Sequence, residues 1–196
     1  EIVSRDWSSD VCSSDLSRVG ACLAGEGCFV TLDQVNSLAP DAFVEMLGGI
    51  YEHSPWVADA VVSRRPFDSL DELRAEMDGS VFAASETQKL ALLRAHPELA
   101  GKAAIDGTLT QASKEEQASA GLDRMLPEEF QALTEMNAAY RDRFGFPFII
   151  CVRLQTKASI LAALESRLEN SAETEFETAL GEVSKIAQLR LEGVIS

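Results

Sequence analysis

Histidine is scarce in this 196-residue chain. Only His53 and His96 carry an imidazole, so histidine chemistry has two candidates. Cysteine offers little more. Cys12, Cys22, Cys28 and Cys151 form no C-x-x-C pair, which argues against a zinc site or a disulfide framework and for a reducing compartment. Positive charge is in deficit: 17 Lys+Arg against 32 Asp+Glu leave a net charge of −15. Such a chain repels phosphate backbones and anionic headgroups, which excludes nucleic acid and anionic membrane surfaces as partners. A small anion can bind only where an arginine is held locally against that field. No apolar run approaches the roughly 18 residues of a spanning helix. Alternating strand patterns and long repeats are missing too. What remains is an ordinary globular balance, 46% hydrophobic and 25% charged. At roughly 150 residues per domain, the length suits one domain with a core that needs no staples.

Residues 1–16 have no helical or strand period and contain a near-repeat, Ser8-Ser9-Asp10 and Ser13-Ser14-Asp15. They resemble translated adapter sequence and are set aside from the fold; 17–32 read as a Gly-rich lead-in. A helical domain is expected over 33–196. Pro40 opens a helix that ends at Gly48-Gly49. Tyr51 to Val62 is a second apolar segment. Ser69-Leu70-Asp71-Glu72 is a capping box for a short helix to about Asp78. Ser80 or Ser85 starts the next, which Pro97 stops. A polar loop over 101–112 precedes Ser113-Lys114-Glu115-Glu116, read as another capping box. Pro127 begins a long helix to about Phe144, and two last helices span about 157–170 and 172–191 with Ser171 as N-cap. Between them Gly145 to Val152 is short, apolar and broken by Pro147, so it is extended. The predicted fold is all-α: a compact single-domain bundle of about seven or eight helices with one extended segment near 146–152.

Arg190 is the most informative residue. Phe176, Leu180, Val183 and Ala187 form an apolar stripe on the last helix, and the next step lands on Arg190. Either it snorkels out near the helix end, or it is buried against a carboxylate, a ligand or water; periodicity alone favours snorkelling. His96 lies on the apolar face at its helix end, with its backbone restricted by Pro97. Its ordinary pKa near 6.5 suits proton transfer, yet a terminal histidine can equally satisfy the last carbonyls. His53 reads as structural or exposed. Ser113, Glu116 and Gln117 share a helix face; the cap reading needs no ligand, the other has them grip a polar ring. Inside an all-α protein the extended run Phe146 to Val152 has unpaired backbone groups that a ligand, water or a loop must satisfy.

These elements in this order resemble one family. His96-Pro97-Glu98-Leu99-Ala100-Gly101-Lys102 is similar to its HPxLAGK signature, Ser113-x-x-Glu116-Gln117 with Ala120-Gly121-Leu122 to its SxxEQxxAGL element, and Phe144 to Ile149 to its FGFPFI segment. Glu52 to Trp56 and Arg65-Pro66-Phe67 agree as well, and the resemblance covers about 33–193. The family is 2-oxo-4-hydroxy-4-carboxy-5-ureidoimidazoline (OHCU) decarboxylase, of urate degradation. The resemblance implies an all-α fold, a homodimer, and loss of CO₂ from a small-molecule substrate to give (S)-allantoin with neither metal nor organic cofactor. It implies His96 as the acid that protonates, Glu116 as its tuner or a substrate partner, and Arg190 as an anchor. Pro97, Ser113, Gln117 and the backbone of Phe148, Ile149, Ile150, Cys151 and Val152 would bind substrate. The end Val194-Ile195-Ser196 is not a peroxisomal signal, so a bacterial-type cytoplasmic enzyme is expected. Alternatives are a same-fold enzyme for a related ureido acid and a non-catalytic helical interaction module.

Overall fold

The computed structural model describes residues 30–101 and 107–196. The adapter-like stretch, most of the lead-in, three of the cysteines and positions 102–106 of the polar loop lie outside them. Nine α-helices and no strand occur among the described residues. They are α1 (Leu32–Ser37), α2 (Pro40–Leu47), α3 (Trp56–Val61), α4 (Leu70–Ala83), α5 (Glu86–Ala95), α6 (Gln111–Ser119), α7 (Pro127–Phe144), α8 (Lys157–Arg167) and α9 (Ala172–Glu192). The helix beyond the expected range of counts is α1, one and a half turns closed by the reciprocal Thr31–Gln34 capping box. Val30 is buried and pairs with Ile195 in an isolated parallel bridge, so the folded unit reaches back to Val30.

Local signals fixed most boundaries. Pro40 and Pro127 sit at the first turns of α2 and α7. Ser69, Ser85 and Ser171 cap α4, α5 and α9. Gly145 ends α7 at φ 77, a left-handed conformation that glycine adopts without a Cβ penalty. Helix α4 runs five residues past the expected stop, because Leu73, Met77 and Val81 continue one buried face across Gly79. Helix α6 starts earlier than expected. Thr110, not Ser113, is its N-cap, and the Thr110 hydroxyl accepts the Ser113 N–H at 3.3 Å. The expected Ser113-x-x-Glu116 capping box is therefore absent, and both side chains are released from helix-end duty.

Helix α9 is the spine. It packs on α4, α5 and α7 and buries Ala179, Leu180, Val183, Ile186, Ala187 and Leu191. The extended run 146–152 lies against it and is buried throughout. A polar clamp holds this run without a sheet. The fully buried Glu175 carboxylate accepts from Arg167 Nε at 2.8 Å, Asn170 Nδ2 at 2.7 Å and the Tyr140 hydroxyl. Arg167 in turn donates Nη1 to the Ile149 carbonyl at 2.8 Å and lies 4.6 Å over the Phe148 ring. Removing one partner of a buried ion pair strands the other charge. Arg167→Leu is therefore expected to lower stability by about 3 kcal/mol, read by urea titration; a change under about 0.5 kcal/mol would mean that Glu175 is held without it.

Candidate active site

The site forms where three helix-borne segments and the extended run meet. A pocket open to solvent is lined by His96, Pro97 and Leu99 from the end of α5, by Ser113, Glu116 and Gln117 from α6, by Phe148 to Arg153, and by Ile186, Leu189 and Arg190 from α9. All the residues the sequence suggested for catalysis or substrate binding line this one space. His53 does not; its side chain is 69% exposed.

Arg190 is buried, which removes the snorkelling reading. Its five N–H groups all have acceptors in the protein. Nε donates to Glu116 Oε1 at 2.9 Å and Nη2 to Glu116 Oε2 at 2.8 Å, a bidentate pair. Nη1 donates to Glu52 Oε2 at 2.9 Å and the Ile50 carbonyl at 3.3 Å, and Nη2 reaches Ser113 Oγ at 3.2 Å. Burial opposes this charge, but the hydrogen bonds and attraction of Glu116 and Glu52 outweigh it and raise its pKa. Arg190 thus orders two carboxylates; with all its donors engaged, it anchors an external group only by giving one up.

Glu52 is the member that sequence reasoning missed. It is buried and takes hydrogen bonds from Thr110 Oγ1 at 2.9 Å, Ser113 Oγ at 3.1 Å and Arg190. Burial pushes its pKa up, but Arg190 and these donors win and hold it below the usual 4.5. A signal was available: a lone acid in an apolar segment, Ile50-Tyr51-Glu52, ahead of Ser54-Pro55. An unpaired carboxylate there would be expensive.

His96 caps the end of α5 and does satisfy a carbonyl there, with Nδ1 2.9 Å from Leu92 O. A carbonyl only accepts, so Nδ1 carries the proton and Nε2 of the neutral ring is bare. Burial is the main influence and lowers its pKa below 6.5, against the Leu92 bond and the Glu52 and Glu116 charges. Among the described residues no hydrogen bond joins His96 to Glu116, so the acid acts on the ring through its field.

Gln117 is already engaged. Its Oε1 accepts from Ala100 N at 2.9 Å and its Nε2 reaches Glu98 O at 3.4 Å. That grip holds Ala100 at φ 49, an uncommon conformation for a residue with a Cβ, and so fixes the turn after His96. In the extended run, Cys151 N donates to Glu182 at 2.8 Å and Ile149 O is taken by Arg167. Among the described residues no hydrogen bond engages Ile149 N or the N–H and C=O of Ile150, and both residues line the cavity. The site therefore offers backbone donors and an acceptor, a bare imidazole nitrogen, a paired carboxylate and an apolar wall. It suits a small polar ring and a proton transfer. No group of three or more His, Cys, Asp or Glu among the described residues is placed to hold a metal ion.

Residues 36–192 match the family model described as OHCU decarboxylase. A 2-oxo-4-hydroxy-4-carboxy-5-ureidoimidazoline decarboxylase of Haloferax volcanii is 49% identical over 162 residues, covering 83% of this chain and 94% of the relative. A crystal structure of (S)-allantoin synthase superposes with a TM-score of 0.68 at 36% identity, over 84% of this chain and 54% of that one. A crystal structure of OHCU decarboxylase in the presence of (S)-allantoin gives 0.58 at 29% identity, over 69% and 87%.

Proposed function

The chain belongs to the OHCU decarboxylase family, and on that premise we propose how its residues divide the work of turning OHCU into (S)-allantoin and CO₂. It is a carboxy-lyase of urate catabolism. The observation that carries the residue assignment is the convergence of His96, Glu116 and Arg190 on one cavity with the unpaired backbone of Ile149 and Ile150. A helical interaction module has no use for a bare imidazole nitrogen and a guanidinium clamped between two acids inside a cavity.

Breaking the ring C–carboxylate bond releases CO₂ and leaves its electron pair on the ring. The adjacent imine takes up the pair, its nitrogen gains a proton, and an enol remains. The enol hydroxyl then loses its proton as the ureido-bearing carbon gains one. The sum consumes one carboxylate anion and one proton. His96 enters neutral, accepts a proton at Nε2, and returns it to one face of that carbon, which sets the handedness of the product. Glu116, fixed by Arg190, supplies the negative field that favours the imidazolium and faces the polar ring edge. Ser113 and Gln117 act mainly by positioning: one links Arg190 to Glu52, the other braces the His96 turn. The backbone of Phe148 to Val152, above all Ile149 and Ile150, takes the ureido and ring amides, and Pro97 walls the imidazole side. The apolar wall disfavours the carboxylate relative to neutral CO₂. We take the working unit to be the helical domain read over 33–196, extended back to Val30 by its bridge to Ile195, acting as a cytoplasmic homodimer; the family resemblance supports the homodimer, and the free, buried Cys151 fits a reducing compartment.

Coupling urate oxidase and the hydrolase of the preceding step to this protein should give the S enantiomer of allantoin in excess, read by circular dichroism, faster than the spontaneous reaction. Racemic allantoin at the uncatalysed rate would reject the reading. The pH dependence has a definite sign. The free enzyme needs neutral His96, and its pKa lies below 6.5. From pH 8 downward kcat/KM should fall with an acid midpoint below 6.5. A midpoint at or above 6.5 would contradict a His96 kept neutral by its burial.

A further inference from the structure

The substrate arrives as a carboxylate, and the site as described has no free charge to receive it. Glu52 and Glu116 outnumber Arg190 by one, and all five Arg190 N–H groups are taken. Beyond the cavity the whole chain carries −15. At the rim, however, Arg153 lines both this cavity and the groove that adjoins it. It is the one cation besides Arg190 among the described lining residues. Its Nη1 makes a single long contact to the Leu189 carbonyl at 3.4 Å, and no acid among the described residues pairs with it. It is the middle residue of the short turn Val152–Leu154, directly after the extended run, so its backbone is fixed while its head is exposed.

The geometry points to Arg153 as the residue that recognises the substrate's carboxylate, drawing it to the cavity mouth against the field of the chain. The inference rests on the decarboxylase reading. A guanidinium at the rim cancels the excess negative charge of the buried cluster without being locked in it. Being half in water, it holds the carboxylate less firmly than a buried clamp would, so it assists capture without stabilising the ground state against loss of CO₂. After CO₂ leaves, the product has no carboxylate and no reason to stay near Arg153.

The test compares wild type, Arg153→Gln and Arg153→Lys by steady-state kinetics on freshly generated substrate, with (S)-allantoin as a competing product. Arg153→Gln should raise KM about tenfold with kcat within about threefold, and Lys should recover most of the loss. The gap between wild type and Gln should narrow from about 0.01 M to 0.5 M salt, as screening removes the attraction. Inhibition by neutral (S)-allantoin should be the same in wild type and Gln. An unchanged KM would overturn the proposal, as would a parallel loss of substrate and (S)-allantoin affinity, which would report altered cavity shape. Wild type with no turnover would instead reject the decarboxylase reading itself.

Discussion

His96→Gln should lower kcat about 10³-fold, with melting temperature nearly unchanged and the residual product racemic. The amide can still donate to the Leu92 carbonyl, so the end of α5 keeps its cap, but it has no site that can gain and release a proton near neutral pH. The two readouts separate chemistry from folding. Near-full activity, or retained excess of one enantiomer, would take the proton from His96 and give it to another group or to ordered water. The racemic residue follows from the same logic: with no fixed donor, the enol is protonated from solvent on either face.

Arg190→Met should be the most destabilising substitution in the site, by about 5 kcal/mol, with activity lost. It leaves Glu52 and Glu116 facing each other near the base of the cavity with no cation between them. Glu52 is 2% exposed, so water cannot replace the guanidinium. Urea titration measures the loss, and a change under about 1 kcal/mol would mean that the cluster is solvated after all. Should the variant fail to fold, Arg190→Met with Glu52→Gln should restore a cooperative transition, because it removes one stranded charge. Arg190→Lys is not conservative here, since three donors on one nitrogen cannot span acceptors on Glu52, Glu116, Ser113 and Ile50.

The sequence was legible where physics is local. Helix starts at Pro40, Ser69, Pro127 and Ser171 depend on groups within one turn, and these came out as expected. That Arg190 continues an apolar stripe was legible because a stripe is a property of a single helix, but periodicity favoured a snorkelling head and the structure buries it. Locality failed at Ser113, where Thr110 three residues earlier took the cap and moved the helix start back. It failed again at Glu52, whose neighbours Tyr51 and His53 gave no hint of its partners. From sequence Ser113 and Gln117 read either as part of a helix cap or as groups gripping a ligand; the structure spends each largely on holding its neighbours.

By itself the order of apolar, capping and breaking residues determined an all-α domain, an extended break before the last two helices, and an arginine and a histidine on apolar helix faces. What the tertiary structure alone decided is which acceptors meet that arginine. Glu52 and Glu116 lie 138 and 74 residues from it along the chain. Helical periodicity states only that the side chain starts from the apolar face. Only the packing of α6 and the Ile50–Glu52 segment against α9 states what it finds there, because burying a charge is affordable solely where opposite charge is brought within hydrogen-bonding reach.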